Sequence, residues 1–212
     1  ELAEKPGEVV LTTGYSRSVV LSLKDKIKEL AQSGKIRHLF LVGGCDSPTS
    51  KMEYYREFVK LLPQDTIILT LGCGKYRFND LDLGSIEGIP RLLDLGQCND
   101  AIVAIDIATT LAEALGVGVN DLPLTLVLCW MNQDAIAILW SLIALGLTKI
   151  YVGPVPPAWA NEGILDVLTD RYGIKLISNP KQDINEILGL GKNEPLSYTG
   201  ASAGNCSPLT PS

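Results

Sequence analysis

Largely apolar runs recur along the chain at Leu39 to Val42, Thr66 to Leu71, Leu124 to Met131 and Lys149 to Val152. Runs that are apolar at consecutive positions predict strands buried on both faces, as in a parallel sheet covered by helices. Between them the period changes. Val19, Val20, Leu21, Leu23, Ile27 and Leu30 keep helical spacing, with Ser18 or Ser16 placed to cap the helix and Gly34 to end it. Tyr54 to Leu62 predicts a short helix stopped by Pro63, and Ala101 to Leu115 a longer one capped by Asn99 or Asp100. Asp134 to Leu147 and Ala158 to Tyr172 predict two further helices, and Ile184 to Leu188 a last turn or two. Glu8 to Thr12 reads as a weak strand and Lys175 to Ile177 as a short one. Ile89 to Leu95 reads as a short strand near an edge, because Pro90 removes a ladder donor.

This alternation predicts an α/β, three-layer, Rossmann-like fold with a mostly parallel sheet and helices on both faces. One domain over 1–188 accounts for it. From Gly189 onward the chain is rich in Gly, Ser, Pro and Asn and offers little to bury, so 189–212 is expected to be an extended tail without its own fold. Held against this domain or a neighbouring chain, such a tail would use Leu196 and Tyr198 as anchors.

Three apolar runs end in glycine with a cysteine directly after it or one residue on: Gly43-Gly44-Cys45-Asp46, Leu71-Gly72-Cys73-Gly74 and Leu95-Gly96-Gln97-Cys98. A fourth run, Leu124 to Met131, ends in Asn132, Gln133 and Asp134. In a parallel sheet the carboxyl ends of the strands share one edge, where such folds place ligands, so Cys45, Cys73, Cys98 and Asn132 are expected to meet there. A single strand-end cysteine is ordinarily a small hydrophobe. Three flanked by glycines, which let backbone approach a bulky group, suit the thiolate ligation that Fe–S clusters require, and three thiolates also suit zinc. No C-x-x-C pair occurs, so any metal site must be assembled in three dimensions. Cys129, inside a strand, and Cys206, in the tail, do not share the layout and read as incidental. His38, the only histidine, stands beside Arg37 just before a strand, where a solvated position is expected. Lys75 and Arg77 follow Cys73 and would lower a thiolate pKa, balance an anionic cluster or stand in water as loop charges.

Composition narrows the classes. Among 212 residues, 18 basic against 24 acidic side chains give a net charge of −6 with no basic block, which removes the footprint of a nucleic-acid binder. The most apolar helix-like run, Ala135 to Leu147, is well short of the roughly 20 residues of a membrane span and reads as a buried core helix. Five cysteines in a chain this long are no disulfide scaffold, so reduced thiols and a reducing intracellular compartment, cytoplasm or organelle stroma or matrix, are expected. Neither G-x-G-x-x-G after a strand nor a P-loop is present, and no internal repeat is visible. Glu1 in place of methionine suggests a processed or truncated product.

The segments Gly43 to Asp46, Leu69 to Asn79, Ile89 to Asp100 and Asn120 to Leu124 resemble the hybrid-cluster proteins, the hydroxylamine reductases. The resemblance runs from about Gly14 to Leu188 and covers only that family's C-terminal domain. It implies that Cys45 matches the cysteine carrying the persulfide sulfur of an Fe–S–O cluster and that Cys73 and Cys98 match iron ligands; the spacings of 28 and 25 positions agree. Where the family reads Trp-Tyr-Glu-Gln-Lys-Ala, this chain has Trp130-Met131-Asn132-Gln133-Asp134-Ala135. Asn132 thus occupies the position of a cluster-binding glutamate and Asp134 that of a lysine. The family's remaining ligands, a histidine, a second glutamate and a further cysteine, come from a middle domain outside this match.

Two readings follow. In one, the chain is a hybrid-cluster-like redox domain supplying Cys45, Cys73 and Cys98 to an Fe–S type cluster, with further ligands from other polypeptide and no hydroxylamine reduction by itself. In the other, the cluster is lost and the α/β body is a structural or docking subunit of a larger protein assembly. Both expect protein partners, with neither nucleic acid nor membrane insertion.

Overall fold

The computed structural model describes Leu11 and residues 13–190. Six parallel strands form its sheet in the order β5-β2-β1-β6-β7-β8: β1 is His38–Gly44, β2 Thr66–Thr70, β5 Leu92–Asp94, β6 Leu124–Cys129, β7 Ile150–Gly153 and β8 Lys175–Leu176. β3 (Ser85–Ile86) and β4 (Ile89–Pro90) pair antiparallel in a separate small hairpin. The helices are α1 (Arg17–Ser22), α2 (Lys24–Gln32), α3 (Glu53–Leu61), α4 (Ala101–Leu115), α5 (Gln133–Ala144), α6 (Glu162–Tyr172) and α7 (Pro180–Leu188).

The α/β expectation holds, and β1 shows why its pattern was legible. Leu39 and Leu41 enter a core shared with α1, α2, α4 and α5, while Phe40 and Val42 enter a second core shared with α3 and α7. A strand whose side chains alternate between two dry faces must be apolar at every position. All seven residues of β1 are accordingly buried.

Four elements differ from expectation for identifiable reasons. The first helix breaks at Leu23, whose φ of −85° and ψ of −6° separate α1 from α2; Ser16, not Ser18, caps α1 by accepting from the Val19 amide. The expected strand Ile89 to Leu95 divides, because buried Arg91 falls between β4 in the hairpin and β5 at the sheet edge. The last helix begins earlier than expected, at Pro180, with Asn179 accepting from the Lys181 and Gln182 amides. Helix α5 buries only one face, through Ala135, Leu139 and Leu142, and leaves Trp140 and the C-cap Leu145 beyond it exposed; a helix lying on a sheet needs a single apolar stripe, so it is not buried all round. Among the described residues no helix is long and apolar enough to cross a membrane. The expected strand at Glu8 to Thr12 falls almost wholly outside the described residues, as do Cys206 and the expected tail anchors Leu196 and Tyr198.

Candidate functional site

Four parallel strands deliver their carboxyl ends side by side, β5, β2, β1 and β6 in that order. Cys98, Cys73, Cys45 and Asn132 follow those four ends. The ladder continues past the strands: Gly72 N–H donates to the Gly96 carbonyl (3.0 Å), Gly44 N–H to the Leu71 carbonyl (3.0 Å) and Cys45 N–H to the Cys129 carbonyl (3.5 Å). Two glycines are required by that close stitching. Gly44 has a φ of 106°, and a Cβ there would stand 2.4 Å from the Cys129 carbonyl oxygen; Gly72 has a φ of 80°, and a Cβ there would meet the Gly44 carbonyl oxygen at 2.6 Å.

Each thiol then sits at the start of a polar turn. Cys73 is exposed and opens the 3₁₀ turn Cys73–Arg77; Cys98 is half-buried and opens the turn Cys98–Asp100, where Gln97 N–H donates to Asp100 (2.7 Å). Gln97 reaches the Tyr76 hydroxyl at 3.3 Å and joins the two turns. Neither cation after Cys73 is a solvated loop charge. Lys75 is buried and donates to Asp94 Oδ1 (2.8 Å) and the Gly96 carbonyl (2.9 Å), tying the turn after β2 to the end of β5. Arg77 donates to Asp46 (2.8 Å), the Ser47 carbonyl (2.6 Å) and Glu53 (2.9 Å), holding the loop that follows Cys45.

The Cys45 thiol is lowered to a pKa of about 6. The Cys129 thiol hydrogen-bonds it; burial opposes the shift, and the backbone amides of Asn132 and Met131 add to it. Cys129 is raised by the same contact and by burial. Cys98 is raised by burial first and then by the neighbouring charges of Cys45, Cys73 and Asp134, so these groups share one electrostatic neighbourhood. Cys129 is therefore not incidental. It is buried at the last position of β6, against Cys45, and Tyr55 of α3 turns a hydroxyl with no nitrogen or oxygen partner toward the same pair. The strand-glycine-cysteine pattern misses Cys129 because no glycine precedes it; its place at the end of an apolar run was the available signal.

Asn132 meets the others at this edge, but its side chain is engaged: it caps α5, accepting from the Ala135 amide at 3.0 Å. Asp134 is exposed in the first turn of α5. His38 lies at the opposite edge as the first residue of β1, buried rather than solvated, within 2.9 Å of Thr125 Oγ1.

Residues 7–185 match the sequence model of the Prismane/CO dehydrogenase family. The chain belongs to that family. It is 65% identical over 188 residues to a hydroxylamine reductase of Thermotoga petrophila and 57% identical over 179 residues to one of Methanothermobacter thermautotrophicus. These matches cover 89% and 84% of this chain but only 44% and 42% of the relatives, so the chain spans less than half their length. Solved carbon monoxide dehydrogenases share the fold. That of Thermococcus sp. AM4 aligns over 84% of this chain and 32% of its own with a TM-score of 0.68 at 20% identity. Dehydrogenase IV of Carboxydothermus hydrogenoformans aligns over 84% and 35% with a TM-score of 0.68 at 17% identity.

The donor set fits an iron–sulfur group of several atoms. Soft sulfurs arrive from three separate strand ends, and one of them favours the thiolate. Among the described residues no three His, Cys, Asp or Glu side chains stand close enough for one metal ion.

Proposed function

We propose that this chain is the part of a hydroxylamine-reductase-type redox protein that supplies Cys45, Cys73 and Cys98 as thiolates to an iron–sulfur type cluster, and that it does not reduce hydroxylamine alone. The observation that carries the reading is the convergence of these three thiols at neighbouring strand ends of one sheet edge. Such a cluster, when bound, supplies electrons and Lewis-acidic iron toward a small N–O substrate. The chain's own residues do the holding. Cys129 and the Met131 and Asn132 amides lower the Cys45 pKa, while Lys75 and Arg77 fix the turns that carry Cys73 and Cys45. The remaining ligands come from polypeptide outside these residues, in agreement with a span of less than half the relatives' length.

A second reading has one specific observation behind it. Asn132 spends its carboxamide on the cap of α5 and offers no anionic ligand, which favours a cluster-less body acting within a larger assembly. Anaerobic reconstitution of the full chain with ferrous iron and sulfide separates the two. The cluster reading expects bound iron, acid-labile sulfide and visible thiolate-to-iron absorption, with loss of most of each in Cys73→Ser and Cys98→Ser variants that still fold. Iron uptake no greater than in those variants would leave the cluster-less reading. Steady ammonia formation from hydroxylamine by the loaded chain with a chemical reductant would overturn the claim that it is incomplete.

A further inference from the structure

Strands β1 and β6 run parallel as neighbours, with Gly44 opposite Cys129. In an unbroken strand Cys45, one position beyond Gly44, would stand on the face away from Cys129. The φ of 106° at Gly44 interrupts the pleat and brings Cys45 into the same core cluster as Cys129, beside Val42, Val127 and Tyr55. The Cys45 amide meets the Cys129 carbonyl at 3.5 Å, and each thiol perturbs the other. Directly opposed residues of neighbouring strands stand about 4.8 Å apart, and an offset of one position lengthens this to about 6 Å, still within the roughly 4.4–6.8 Å between Cα atoms that a disulfide spans. Both thiols are free and buried, so only a small oxidant reaches them.

We propose that Cys45 and Cys129 form a dithiol pair that hydrogen peroxide closes to a disulfide whenever no metal group holds the Cys45 sulfur. The Cys45 sulfur attacks one peroxide oxygen as the O–O bond breaks, giving a sulfenic acid and, with one proton, water. The Cys129 sulfur then attacks the Cys45 sulfur. The S–O bond breaks, and the departing hydroxide leaves as water with the Cys129 proton. Two thiols lose two electrons in total, and one peroxide becomes two waters. The disulfide removes Cys45 from the ligand set until a thiol reductant reopens it; this last consequence rests on the cluster reading above, whereas the pairing does not.

The test uses the full chain, freed of metal by chelation, reduced, exposed to stoichiometric hydrogen peroxide and alkylated. The expected result is a loss of two titratable thiols and a peptide map joining the Cys45 and Cys129 peptides, reversed by dithiothreitol. In Cys129→Ser the same treatment should leave a dimedone-trappable sulfenic acid on Cys45 and no such link. A wild-type map in which these two peptides stay unlinked, or in which Cys73, Cys98 or Cys206 provides the dominant link, overturns the proposal whatever the variant does. Iron and sulfide are then offered to the oxidised and the reduced chain. Uptake by the reduced chain alone supports the block, and equal uptake by both overturns it. Uptake by neither counts against the cluster reading, while the peptide map still decides the pair.

Discussion

At the amino edge of the sheet, buried Arg91 donates to the carbonyls of Leu62, Pro63, Thr66 and Leu83, to Gln64 Oε1 and to Thr66 Oγ1, and buried His38 meets Thr125. At the carboxyl edge, Cys45 and Cys129 have each other, and Thr70 Oγ1, Tyr55 Oη and Asp94 Oδ2 are buried there or beneath it without a nitrogen or oxygen partner. The amino edge leaves Asp65 Oδ1 as such an atom, whereas the carboxyl edge leaves several. Unsatisfied buried polar atoms carry a free-energy cost, so their concentration near one edge marks where stability is given up for something else. Arg91 belongs to one of the segments that carry the family resemblance, yet its environment makes it a clamp between β2, β5 and the hairpin loop. A specific motif thus contains structural and ligating positions side by side, and burial with its hydrogen-bond partners separates them.

The largest expected effect breaks the amino edge. Arg91→Ala strands several buried carbonyls at once and should lower unfolding stability by on the order of 3–5 kcal/mol, read as a fall in urea midpoint. Iron uptake per folded molecule should not change. A loss of uptake in protein shown to be folded would mean that the two edges are coupled and that the division drawn here is wrong.

His38 gives the next effect. Burial lowers its pKa to about 4 from 6.5, and the nearby charge of Lys149 adds to this. Above pH 6.5 both folded and unfolded chains hold it neutral, and nothing is lost. As pH falls from 6.5 toward 4 the unfolded chain takes up the proton and the folded one does not, so stability declines with acidification. At about 1.4 kcal/mol per pH unit the decline reaches roughly 3 kcal/mol by pH 4. Carboxylates titrate in the lower part of that window, so the informative quantity is the difference between the wild type and His38→Gln. Parallel stability curves for the two proteins between pH 7 and 5 would show that His38 is not held neutral.

How much of this was legible in the sequence depends on range. The central strands β1, β2, β6 and β7 announce themselves because two dry faces demand apolar side chains at every position. The three glycine–cysteine strand ends were legible for a related reason, since glycine at an abrupt chain turn leaves a local mark. Cys129 was not, because what makes it matter is the register of β6 against β1 and the turn at Gly44, neither of which is local. The Lys75–Asp94 pair joins residues 19 positions apart across two strand ends, and charge patterning along the chain carries no sign of it. Leu23, where α1 gives way to α2, is apolar and unremarkable in the sequence; only the folded backbone shows the break.

The smallest effect bears on the carboxyl edge. Asn132 caps α5 and also stands where the family resemblance places a glutamate, so one side chain faces two demands. Asparagine and aspartate are short enough to accept from the amide three positions on; alanine offers no acceptor, and the longer glutamate is a poorer cap. Asn132→Asp should therefore stay within a few tenths of a kcal/mol of wild type, with the helix dipole favouring the new charge. Asn132→Ala and Asn132→Glu should each cost about 1 kcal/mol in urea unfolding. The Asn132 amide also donates to the Cys45 sulfur through backbone, which none of these changes removes, so Cys45 alkylation as a function of pH should keep its midpoint in the alanine variant. If Asn132→Ala shifted that midpoint while costing no stability, the side chain would be serving the thiol and not the helix, and the carboxyl edge would be more fully committed than the capping geometry implies.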